Sequence, residues 1–361
     1  MADYVHLPPF PERFALPLRE AVSGSPARWP ASVTDEEIGI LDAHGMLSIV
    51  YAHSRLVELR GEAIRAAATE ALRLADLRAV LAALEERGVV PLIVKGTALA
   101  YSLYETPELR PRSDTDILIA PDDLDVVRAA LAPLGFTERL TSGDELGVRQ
   151  RSFERVDRFG VLHAYDVHLD IANPALVARA LTYEEMSARA MSLPRLAANA
   201  LAPSMVDSLL YACIHRVVHH HGSDRLMWLY DVHLLVERLS DGDRQELWSR
   251  AAERHVVTIC KRTLEDARQW FGGFDLAASA PAVMEEEPSA AFLDRDRRRG
   301  AVLRDELAAL TLRQKLQRLR QLAFPPPAFM MQSFGTNSRA ALPLLYAWRG
   351  VRGMARLFRR V

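Results

Sequence analysis

Read for hydrophobic spacing, the chain is helical at both ends and mixed in the middle. After a Pro-rich opening, Thr34 followed by Glu37 has the capping-box signature of a helix start, and long Ala/Leu/Arg-rich helical patterns run to a stop at Gly88. The period then changes. Residues 89–94, VVPLIV, form a short β-branched apolar run that ends at Lys95-Gly96-Thr97, and an Ala-rich helical start follows. Residues 114–119, DTDILI, alternate as a strand does, with Asp114 and Asp116 on one face and Thr115, Ile117 and Ile119 on the other, core-facing side. Pro121 with Asp122 and Asp123 opens a helix through Leu134, which Gly135 closes. In GVLHAYDVHLDIANP, Val161, Tyr165, Val167, Leu169 and Ile171 share one strand face, while Asp166, His168 and Asp170 line the other. The preceding VRQRSFERVDRFG predicts a partner strand turning at Arg158, Phe159 and Gly160 into an antiparallel hairpin. From about residue 175 onward helical spacing and caps dominate, and no convincing strand is expected. The expected fold class is α+β: an N-terminal helical region (1–74), a core with a small mixed β-sheet backed by helices (75–175) and a C-terminal helical domain (176–361).

The polar positions of the middle segment carry chemistry. Alternation sets the Cα atoms of Asp114 and Asp116 roughly 6.5 Å apart, so both carboxylates can converge on one divalent ion. Two such acids repel unless a cation lies between them; the alternative is a solvated strand end. Upstream, strand, Gly turn and helix place Gly96 and Thr97 where backbone N–H groups can cradle a phosphate, and Lys95 can add a point charge. The chain has only three Lys, at 95, 261 and 315, which makes a Lys at this turn less incidental, although an ordinary βα turn has the same outline. It is not a Walker A loop. A two-metal phosphoryl-transfer site needs a further acid, and Asp166 is the choice, with His168 beside it as a triphosphate or acceptor contact. For His168 and Asp170 a polar strand face meeting solvent is the competing view. Arg110 and Arg112 can grip phosphate oxygens in bidentate fashion, or merely offset Asp114 and Asp116.

With those residues in view, the stretch from Val94 to Phe136, followed by YDVHLDI, resembles the uncharacterised nucleotidyltransferase family of the polymerase-beta-like superfamily, and also nucleotidyltransferase-type toxins of abortive-infection systems. The family pattern runs Lys-Gly, Tyr, Arg-Pro, Asp-x-Asp and Asp-x-His; Lys95, Gly96, Tyr104, Arg110, Pro111, Asp114, Asp116, Asp166 and His168 fill it over roughly residues 75–175. Gly-Thr stands where the wider superfamily has Gly-Ser, and the gap from Gly96 to Asp114 is longer than in standard members. The resemblance implies transfer of NMP from a nucleoside triphosphate to an acceptor hydroxyl, with Mg²⁺ or Mn²⁺ on Asp114, Asp116 and Asp166. The acceptor stays open among a small molecule, a peptide or protein, and a tRNA end.

Composition limits the setting. At 361 residues there is ample material for two or three domain-sized units, and the net charge of −2 argues against broad nonspecific DNA binding. No apolar run reaches membrane length, and MADYVHLPPFPERF has neither the basic opening nor the apolar stretch of a secretion signal. Cys213 and Cys260 form no metal spacing and no disulfide framework, so a cytoplasmic location is expected.

Two flanking segments add candidates. In SLLYACIHRVVHHHGSDRLMWLYDVHLLVERLS, an apolar helical stripe leaves His215 and His219 four residues apart on another face, with His220, His221, Asp224, Asp231 and His233 nearby. A His/Asp metal phosphohydrolase is one outcome. Another is a helical lobe facing the cleft with His215 and Asp231 as contacts, which the resemblance supports; an interhelical hydrogen-bond network is the third. Finally, PPPAF at 325–329 breaks a charged helix, and LPLLYAWRGVRGMARLFRRV ends the chain as a basic amphipathic segment. It can meet an anionic membrane or RNA, or dock on the body with Arg outward, and Gly350 and Gly353 weaken it as an autonomous helix.

Overall fold

The computed structural model describes residues 7–139, 150–172, 175–283, 287–294, 299–308 and 310–357. The N-terminal helices are α1 (Glu12–Val22), α2 (Asp35–Ala43), α3 (Leu47–Ser54) and the long α4 (Arg60–Glu85). The Thr34–Glu37 capping box starts α2, Thr34 Oγ1 accepting from the Glu37 N–H while Glu37 reaches back to the Thr34 N–H. Gly88 follows α4 at φ 76°, the left-handed conformation that ends a helix and that glycine adopts without strain. Because α4 is continuous, residues 74 and 75 lie within one helix.

The middle of the chain is β1 (Leu92–Val94), α5 (Lys95–Ser102), β2 (Thr115–Leu118), α6 (Leu124–Leu131), β3 (Thr137–Glu138), β4 (Gln150–Val156) and β5 (Leu162–His168). β1 is shorter than the apolar run that encodes it, since Pro91 has no N–H to give to a ladder. β4 and β5 form the expected antiparallel hairpin, turning through Asp157 to Gly160. After α7 (Ala175–Ala178) and α8 (Tyr183–Ser187) come β6 (Met191–Ser192) and β7 (Leu201–Ala202), which correct the expectation of no strand beyond residue 175. Two-residue strands carry too little periodicity to register in a sequence; they are held by pairing, β7 parallel to β1 and β6 antiparallel to β7. The sheet order is β3-β4-β5-β2-β1-β7-β6.

The remaining helices are α9 (Met205–His220), α10 (Leu226–Arg238), α11 (Asp241–Glu253), α12 (Val257–Phe271), α13 (Arg299–Ala308), α14 (Leu312–Ala323), α15 (Pro327–Ser333) and α16 (Leu342–Leu357). α16 runs unbroken through Gly350 and Gly353 because it packs on α13, α14 and α15. Strand parity divides the interior. Ile93, Ile117, Tyr165 and Val167 point into one core with α4 and α6, whereas Leu92, Val94 and Leu118 point into a second core with α9, α10 and α12. Each fully buried Ile contributes about 1.5–3 kcal/mol, so the strands cannot slip by one residue without inverting both faces. The acidic face of β2 is thereby fixed on the side of the α9–α10 lobe.

One buried ion pair ties that lobe to the sheet. Arg110 donates from Nε and Nη2 to the Asp231 carboxylate on α10, the shortest contact being 2.7 Å, and the Tyr104 hydroxyl donates to the same carboxylate at 2.6 Å. The guanidinium lies against Gly96, where an added Cβ would collide with Nη1. Gly96 is therefore required by Arg110, not by the bend: the positive φ of the turn, 53°, belongs to Lys95. Since Asp231 holds Arg110 from the far side, the guanidinium cannot retreat, and Gly96→Ala should lower stability by about 1–3 kcal/mol. Chemical denaturation checks this, and an unchanged midpoint would contradict the packing described.

Candidate active site

The site is built by register. β2 and β5 are adjacent and parallel, and Asp116 lies opposite Asp166 while Leu118 lies opposite His168. Period two then puts Asp116, Asp166 and His168 on one face, and their ligand atoms lie within 4.8 Å of one another. They are the metal-capable group of His, Cys, Asp and Glu among the described residues. Asp114 precedes β2 and is not a member of that group, although its carboxyl feels both neighbours.

Lys95 closes the cluster. A left-handed backbone is strained for a residue with a Cβ, by about 1–2 kcal/mol, and the surrounding strand and helix hold it in place. From there Nζ reaches Asp116 Oδ1 at 2.8 Å and His168 Nε2 at 3.2 Å. His168 Nε2 lies 2.7 Å from the same Asp116 Oδ1, donating to it when protonated and accepting from Lys95 when not. The Ser152 hydroxyl donates to Asp166 Oδ1 at 2.6 Å. These bonds use one oxygen of each carboxylate, and the group of two carboxylates and an imidazole could hold a divalent metal ion. Ser152 went unnoticed in the sequence; its only signal is its place opposite Asp166 in the β4–β5 hairpin.

Burial and charge split the acids. Burial opposes ionisation of Asp116, but the Lys95 ammonium and His168 outweigh it and hold the carboxyl well below its usual range. Asp114 is pushed up by burial and then by Asp116 and Asp166. Burial also raises Asp166, with Asp116 adding to it and Ser152 opposing. His168 is lowered by burial and by Lys95.

The other candidates are placed as follows. Thr97 is buried on α5, its Oγ1 with no hydrogen-bond partner among the described residues. Arg110 faces Asp231, and Arg112 donates to Glu70 and Thr115, so neither guanidinium is presented as an open phosphate clamp. Asp231 is consumed in the Arg110 pair. His215 on α9 stacks on His219 at 5.0 Å and meets His220 at 4.7 Å, and His220 contacts Trp228 at 4.0 Å. Burial and then Lys95 push His219 down to about 3 and His220 to about 4, so both rings are neutral near pH 7. Among the described residues the metal-capable group is Asp116, Asp166 and His168, and these imidazoles are not members of it.

Residues 41–272 match the family described as Uncharacterised nucleotidyltransferase, and the chain belongs to it. Among solved structures, the chain is similar to the antibiotic-resistance factor ANT(2'')-Ia in solution, at 16% identity over 51% of this chain and 92% of that one, with a TM-score of 0.37. No match is found among the curated proteins. No helix of the described residues is long and apolar enough to cross a membrane.

Metal and proton compete for the same carboxylates. Because burial raises the Asp114 and Asp166 carboxyls, protons should compete with Mn²⁺ for this group at a higher pH than they would for exposed aspartates, so Mn²⁺ affinity should weaken as pH falls. Titration by Mn²⁺ electron paramagnetic resonance checks this, and a flat profile would refute the raised values.

Proposed function

We propose that the protein is a divalent-metal-dependent nucleotidyltransferase that moves NMP from a nucleoside triphosphate to an acceptor hydroxyl and releases pyrophosphate. The observation that supports it most is the in-register pairing of Asp116 with Asp166 on parallel strands, with His168 at hydrogen-bond distance and Asp114 one step away. Mg²⁺ or Mn²⁺ bound there would neutralise the triphosphate and acidify the acceptor hydroxyl. Asp116, kept ionised by Lys95, supplies a fixed negative charge to that ion. Asp166, oriented by Ser152 on one oxygen, would hold with the other the ion that lowers the pKa of the acceptor hydroxyl. Lys95 and the first N–H groups of α5, from Gly96 and Thr97, face the phosphates. Arg110 and Arg112 act by holding the frame of the site through Asp231 and Glu70.

In this proposal residues 75–175 are the transferring unit, and the helical region after them, with His215 and its neutral neighbours, offers the acceptor side. A small molecule, a peptide or protein side chain, and a tRNA end all present the required hydroxyl. The two buried free cysteines suit a reducing cytoplasm. The test is to incubate the purified protein with each α-labelled nucleoside triphosphate, Mg²⁺ or Mn²⁺ and cell extract, and to identify the labelled species. Asp116→Asn and Asp166→Asn should each reduce labelling by about 10²-fold or more. Asp166→Asn still accepts from Ser152 and should leave the melting temperature little changed, whereas Asp116→Asn strips the buried Lys95 of its counter-ion and should lower it. Full activity in either variant would sink the assignment.

A second reading is a catalytically silent nucleotide- or partner-binding protein of the same fold. It is favoured by Lys95 Nζ, an internal cation already sitting on Asp116 and His168. Lys95→Met separates the two. If Lys95 serves phosphates, Mn²⁺ binds more tightly in the variant while label transfer collapses; if Lys95 substitutes for the ion, the wild type shows neither Mn²⁺ binding nor transfer.

A further inference from the structure

The last part of the chain differs from the rest in charge. Residues 311–361 contain ten Arg and Lys and no Asp or Glu, so a +10 segment ends a chain whose total is −2 and whose remainder is −12. The same segment leaves apolar side chains in water. Leu312, Leu316 and Leu319 of α14 are 74%, 62% and 45% exposed, and Leu344, Trp348 and Val351 of α16 are 74%, 53% and 65% exposed. Both triplets have the spacing i, i+4, i+7 that makes one stripe along a helix. With Phe324 they are seven of the sixteen exposed large hydrophobics of the described residues, within 47 positions.

The stripes are not used to fold the tail. α16 packs inward through Tyr346, whose hydroxyl donates to Pro325 O at 2.6 Å and whose ring meets Phe324, and through Arg349, which lies over Phe329. On the helical wheel of α14, Arg313 and Arg320 flank the leucines on one side, Lys315 and Arg318 on the other. Apolar centre and basic margins are the pattern of a helix lying in a lipid interface.

We propose that the α14–α16 segment is a docking surface for an anionic lipid bilayer, which the two stripes enter while the flanking Arg and Lys meet lipid phosphates. A nucleic acid would satisfy the cations but leave aliphatic leucines in water, since it offers phosphates and base faces. A second copy would bring +10 against +10. A bilayer covers both features, and neither α14 nor α16 is long and apolar enough to cross it. The inference is independent of the nucleotide chemistry.

The experiment is sedimentation of the full-length protein with vesicles of phosphatidylcholine alone or mixed with phosphatidylglycerol. Partition should occur only with the anionic vesicles, weaken with added salt and shift tryptophan emission to the blue. Leu316→Glu with Trp348→Glu, both at exposed positions, should abolish partition with an unchanged circular dichroism spectrum. Arg313→Gln with Arg320→Gln should reduce it about fivefold per residue, and it carries the test should the first variant lose its fold. Three results would overturn the proposal. They are no partition into anionic vesicles at low salt, RNA binding that survives the Leu316 and Trp348 changes while vesicles are ignored, and a dimer that those changes dissociate.

Discussion

Carboxylates taken out of water between a sheet and a helical lobe must each meet a cation or a donor, and this requirement organises the protein around its site. Asp116 has Lys95 and His168, Asp166 has Ser152, and Asp231 has Arg110 and Tyr104, while on the opposite face of the sheet Glu70 of α4 has Arg112 and Tyr101. Removing one partner from such a buried pair costs about 3–5 kcal/mol, so the pairs lock the seam as well as charging it. Asp114, the least paired of the group, is left with a raised carboxyl.

That seam explains why the site can be both rigid and reactive. Lys95 and Asp116 fix a charge by mutual attraction, which a bound cation and phosphate can redistribute without moving the strands. The strands themselves are anchored by the opposite face, where Ile93, Ile117, Tyr165 and Val167 are buried against α4 and α6. Preorganised charge on a backbone that cannot relax is what phosphoryl transfer demands of a protein. Membership of a nucleotidyltransferase family fits a scaffold of this kind.

The basic tail has a different logic. Its Arg and Lys lie in a segment that has no Asp or Glu of its own, and its apolar stripes face away from its own packing. Charge segregation of this size separates a helical surface suited to an outside partner from the sheet where the carboxylates gather.

Much was legible in the sequence where the information is local. Period two set Asp116 on the face opposite Ile117, and Asp166 with His168 on the face opposite Val167, while the β2–β5 pairing joined the two acidic faces; the Thr34–Glu37 spacing fixed a helix start; Gly88 and Gly135 fixed two ends. Lys95, Asp166 and His168 could be chosen because each sits on a strand face or turn that short-range pattern defines. What only the tertiary structure decided involves partners far apart in the chain: Lys95 with Asp116 across 21 positions, His168 with Asp116 across 52, Arg110 with Asp231 across 121. Arg110 and Arg112 read as phosphate ligands because their acidic partners lie on distant helices, and Gly96 read as a turn open to a phosphate because the guanidinium that fills its space comes from outside the turn. β6 and β7 were invisible for the same reason: two residues have no period, and only the open edge of β1 makes β7 a strand. Local periodicity determines which side chains share a face, whereas the pairing of buried charges depends on which faces the fold brings together.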